Sequence, residues 1–88
     1  MDLYSGRRGN VRKFNIFIHS FRQMQDFVSL AMVQPFEVLV GNDRQKVNGK
    51  NFIGMFALDF HTPLQVSVTC SEEEFLRFRQ DVDRLLFS

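Results

Sequence analysis

Hydrophobic and polar positions change period several times along the chain, and each change marks an element. Lys13-Phe14-Asn15-Ile16-Phe17-Ile18 alternates, with Phe14, Ile16 and Ile18 on one side. A two-residue period with β-branched and aromatic residues predicts a half-buried strand. Ser20-Phe21-Arg22-Gln23 has capping-box spacing. Met24, Phe27, Val28 and Ala31 then recur at helical intervals, which predicts a helix from Phe21 to Val33, stopped by Pro35. Phe36–Val40 reads as a second strand, Gly41-Asn42-Asp43 as a turn, and Arg44–Asn48 as the polar strand of a hairpin. Asn51–Leu58 is too short and mixed for its period to decide, and is taken as a short helix.

Pro63-Leu64-Gln65-Val66-Ser67-Val68-Thr69 alternates strictly, with Leu64, Val66 and Val68 inward. Ser71 and Glu74 then form a capping box, and Glu72 and Glu73 add negative charge where the helix dipole favours it. Phe75, Phe78, Val82, Leu85 and Leu86 make one apolar stripe, so the last element is a helix. The order β-α-β-β-α-β-α predicts an α+β domain: a four-stranded antiparallel sheet with three helices on one face.

Length and composition fit that picture. With 88 residues the chain makes one small domain, 44% hydrophobic and 24% charged. Eleven Phe and no Trp suggest a Phe-packed core, with a few Phe left exposed to bind something as the alternative. No apolar run is long enough for a membrane span, and Met1–Asn10 has no apolar core of the signal-peptide kind. One cysteine excludes an internal disulfide framework and points to a reducing, cytoplasmic setting. A net charge of +1 gives no reason to expect a nucleic-acid partner. Residues 1–12 are polar, Gly-rich and locally basic, and read as a flexible lead-in to a domain over 13–88.

The chemistry-bearing residues are few. His61 and Cys70 flank the strand 63–69, about 30 Å apart when extended, and so cannot form a nucleophile–base pair within one subunit. Two His and one Cys give no metal-ligand spacing, and Gly41, Gly49 and Gly54 stand singly rather than as a phosphate-binding loop. No metal or cofactor is expected.

Lys46-Val47-Asn48-Gly49-Lys50-Asn51-Phe52-Ile53-Gly54-Met55-Phe56-Ala57-Leu58, together with the element order and the pair Phe27-Val28, resembles the HPr family, the histidine phosphocarriers of the sugar phosphotransferase system. The resemblance covers about residues 13–87. It implies an active centre at the start of the first helix: a His, one further residue, then Arg-Pro. Counted back from Phe27-Val28, the histidine position falls on Ser20, the arginine on Arg22, and the proline on Gln23. His19 stands one residue early. The family's second phosphorylation position, a Ser, is Asn51, and an amide takes no phosphate. Ser20 carries a hydroxyl, which would need an activating base to take phosphate, and the spacing makes it an N-cap instead.

The expectation is therefore a non-catalytic HPr-like regulatory or docking module, with Arg22 as a residual anion-binding group. The partners the resemblance implies are phosphotransferase-system proteins or a transcriptional regulator, with self-association possible. Two other readings stay open: a working phosphocarrier using His19 in a shifted register, and a structural domain that only self-associates. In the short helix Met55 and Leu58 share one side, and Phe52, Ile53 and Phe56 the other. With Met55 and Leu58 buried, Phe52, Ile53 and Phe56, beside Arg22 and Gln23, would form the docking surface.

Overall fold

The computed structural model describes residues 10–86. Its elements are β1 (Asn10–Ile16), α1 (Phe21–Met32), β2 (Val38–Gly41), β3 (Lys46–Asn48), α2 (Phe52–Phe56), β4 (Leu64–Cys70) and α3 (Glu72–Leu86). The strands form one antiparallel sheet in the order β1-β4-β2-β3. The fold is the expected α+β sandwich, with a four-stranded sheet and three helices.

β4 is central because it can be buried on its apolar side while pairing on both edges. Phe14 lies opposite Val66 on one flank and Val40 opposite Val66 on the other. Leu64, Val66 and Val68 are buried on the helix side, whereas Gln65 and Thr69 on the other side are exposed. The two-residue period in the sequence is thus the difference between a covered and an open sheet face.

Met24, Phe27, Val28 and Ala31 of α1 and Phe78, Val82 and Leu86 of α3 close over that covered face. Phe78 sits at the centre, with Phe14, Phe27 and Phe36 rings at 6.1, 6.3 and 5.6 Å. Edge-to-face and tilted contacts of this kind suit the ring quadrupole. Of the expected stripe on α3, Phe75 and Leu85 are only partly buried.

Some boundaries differ from the sequence reading. β1 begins at Asn10 rather than Lys13, because Asn10, Val11 and Arg12 pair with Cys70, Thr69 and Val68. Residues 10–12, expected in the lead-in, thus belong to the sheet; residues 1–9 of that segment lie outside the described residues. β1 ends at Ile16, yet Ile18 is still buried beyond it. β2 starts at Val38, and Phe36 enters the core from the preceding loop.

Candidate functional site

Each helix starts on a polar side chain that replaces missing backbone partners. At α1 the Ser20 hydroxyl accepts from the Gln23 N–H at 3.2 Å, and the Gln23 Oε1 accepts in return from the His19 N–H at 2.8 Å. Gln23 also donates through Nε2 to the Leu86 carbonyl at 3.3 Å, tying the start of α1 to the end of α3. At α2 the Asn51 side-chain oxygen accepts from the Ile53 and Gly54 N–H groups at 3.1 and 3.2 Å. At α3 the Ser71 hydroxyl accepts from the Glu74 N–H, and the Ser71 N–H donates to the Glu74 carboxylate.

His19, Ser20, Arg22 and Gln23 stand together at the start of α1. His19 is exposed, and its ring stacks on Phe17 at 5.6 Å with an interplanar angle of 8°. Arg22 is exposed and 3.7 Å from the Asp26 carboxylate one turn along the helix. Screening leaves such a pair little energy, so the guanidinium stays free to move to another anion. Gln23 differs: both ends of its amide are already used in holding the rim together.

The short helix ends at Phe56 rather than Leu58; its Met55 and, just beyond it, Leu58 are buried as expected, and the other side is turned out. Ile53 is 80% exposed and Phe56 43%, while Phe52 is half-buried and packs against the core. The Phe52 and Phe56 rings are 4.5 Å apart. Two residues missed in the sequence complete this surface. Phe21 is 61% exposed and lies between Phe56 at 5.2 Å and Phe60 at 5.4 Å. Phe60 in turn stacks on His61 at 5.2 Å. The available signal was Phe21 itself, a large apolar residue directly after an N-cap, three before Met24 and seven before Val28 and so at the edge of its helix's apolar stripe.

His61, stacked on Phe60 at the edge of this cluster, is also held by Asp59, whose carboxylate accepts from the His61 N–H and contacts the ring Nδ1 at 3.1 Å. Those two bonds hold the Asp59 carboxyl below its ordinary range. Cys70 lies at the far end of β4, buried in the core. Burial pushes its thiol pKa up, Glu74 adds to the rise, and Arg12 opposes it. Cys70 is a packed core residue rather than an activated nucleophile. Among the described residues no group of His, Cys, Asp and Glu is placed to hold a metal ion, and no helix is long and apolar enough to cross a membrane.

No protein-family model matches the chain, and no curated protein matches it significantly. Its fold is similar to the crystal structure of HPr-C-His from Thermoanaerobacter tengcongensis, with a TM-score of 0.64 over 88% of this chain and 97% of that one. The two are 21% identical in sequence, so the similarity is one of fold. The fold is HPr-like.

Proposed function

We propose that this chain is a non-catalytic docking module on an HPr scaffold, related to the sugar phosphotransferase system. One observation carries the reading. The positions that the resemblance assigns to phosphorylation are the N-caps of α1 and α2, held by Ser20 and Asn51, and both side chains are engaged in capping. A carrier needs an imidazole nitrogen free to attack a phosphoryl donor beside the helix N-terminus. The cap residue here offers a hydroxyl bonded to the Gln23 N–H, with the neighbouring His19 ring stacked on Phe17, and the amide at the second position offers no nucleophile.

What remains at the rim is a surface suited to contact. Phe21, Ile53 and Phe56 are exposed together, with Arg22 beside them. An apolar cluster with a charged edge has the anatomy of a protein–protein contact site. The partner in this reading is a phosphotransferase-system protein, a transcriptional regulator, or a second copy of the chain, met in the cytoplasm.

The test is incubation with phosphoenolpyruvate and the system's first enzyme, followed by intact mass measurement. The expected result is an unchanged mass. An acid-labile phosphoryl adduct that disappears in His19→Ala would overturn the reading and make the chain a carrier with a displaced histidine.

A further inference from the structure

We propose that the cleft between the end of β1 and the C-terminal end of α3 binds a small organic cation carried on an aromatic stem. The cleft has a volume of about 340 Å³ and is lined by Asn15, Ile16, Phe17, His19, Pro63, Asp83 and Leu86. Ligand cavities start at about 300 Å³, so it suits one ring and a short side chain.

Ile16, Pro63 and Leu86 give the lining apolar atoms. Phe17 and His19, also in the lining, stack parallel and form a flat aromatic wall. Phe17 is 48% exposed, a large ring that the core does not hold. A flat π surface attracts a second ring by offset stacking and a cation by its quadrupole.

The charge of the cleft is negative, and the reason is specific. Asp83 has no hydrogen bond or ion pair among the described residues. Its natural partner one turn back, Arg79, lies instead over the Phe14 ring at 5.5 Å. Arg84, next to it in sequence, bonds Asp81 at 3.3 Å. Both neighbouring cations are thus drawn away. The Leu86 carbonyl is already taken by Gln23, so the carboxylate is the charge the cleft offers. One uncompensated carboxylate and an aromatic wall within a small apolar cleft match an arylalkylammonium ion.

The experiment uses the full chain and phenethylammonium as probe, followed through backbone amide shifts at pH 8. Saturable shifts at Phe17, His19, Asp83 and Leu86 are expected. Hydrocinnamate, of similar shape and opposite charge, should bind about tenfold or more weakly, the difference that one exposed ion pair with a cation–π contact supplies. Asp83→Asn should abolish that preference, and Phe17→Leu should weaken phenethylammonium binding, each with the remaining amide spectrum unchanged. Equal binding of both probes, no shifts up to millimolar concentration, or an unaltered preference in Asp83→Asn would each overturn the proposal.

Discussion

The ring of Phe21 lies 5.2 Å from that of Phe56, at an interplanar angle of 60°. This contact joins the first residue of α1 to the last residue of α2 across the surface of the molecule. It makes one continuous aromatic surface from two elements that each expose a ring. Ile53→Asp should leave the fold intact, within about 0.5 kcal/mol, since the residue is 80% exposed. Phe52→Asp should lower the melting temperature, because that ring is half-buried against the core. Partner capture and self-association are then read on Ile53→Asp. A variant that keeps its fold and every association would remove the docking role from this surface.

The two phosphorylation positions of the resemblance also carry stability. Ser20→Ala and Asn51→Ala should each cost about 1 kcal/mol in denaturant unfolding, because each frees first-turn N–H groups from a cap. Asn51→Ser should cost much less, since the two residues cap almost equally well. If Asn51→Ser destabilises as much as Asn51→Ala, the capping account of that residue is wrong.

At the last helix the same comparison separates a cap from a core residue. Ser71→Ala should cost about 1 kcal/mol, and Phe78→Ala about 3–5 kcal/mol, because Phe78 is 1% exposed and meets three other rings. In a domain with total stability of order 5 kcal/mol, the second change brings the chain close to unfolding. Urea midpoints measure both.

Two glycines should respond in opposite directions. A Cβ on Gly54 would make ordinary contacts at 3.5 Å with Asn51 and Val47, so Gly54→Ala should stabilise α2 by about 0.5–1 kcal/mol. A Cβ on Gly49 would fall 2.8 Å from Val38 Cγ1 and 3.1 Å from Val40 Cγ2 in the core. Gly49→Ala should therefore destabilise. Melting temperatures that move in the same direction for both would contradict this geometry.

Cys70 gives the chain a pH dependence on the alkaline side. Its folded pKa is raised, chiefly by burial. The folded state thus holds the thiol proton at a pH where the unfolded chain has begun to release it. The stability contributed is full below the ordinary thiol range, near pH 8.5, and declines as pH rises above it. Cys70→Ser should flatten that alkaline slope in unfolding measurements. The thiol should also react with a disulfide reagent far more slowly in the folded chain than in denaturant.

Much of the fold was legible because its signals are local. The strict alternation around Val66 and the Ser71–Glu74 box each specify an element within a few residues. Boundaries were less so. Ile18 and Phe36 carry the apolar pattern beyond the strands, since burial continues where ladder hydrogen bonding has stopped. The surface was half legible. Helical spacing separates Met55 and Leu58 from Ile53 and Phe56, but nothing local says that Phe21 and Phe60 meet Phe56 from other parts of the chain. The amide of Gln23 also could not be followed to Leu86, a contact between residues 63 positions apart.

The central place of β4 sets an order of events during synthesis. Asn10–Ile16 has its sheet partner in Leu64–Cys70, and Val38–Gly41 pairs with the same strand. The first half of the domain therefore leaves the ribosome with helix-forming sequence and at most the two-stranded β2–β3 hairpin to pack against. Only when the strand after Pro63 emerges do the two earlier strands acquire the partner between them. A topology whose keystone arrives late closes many long loops at once, so this domain should assemble after most of its chain is made, rather than piece by piece.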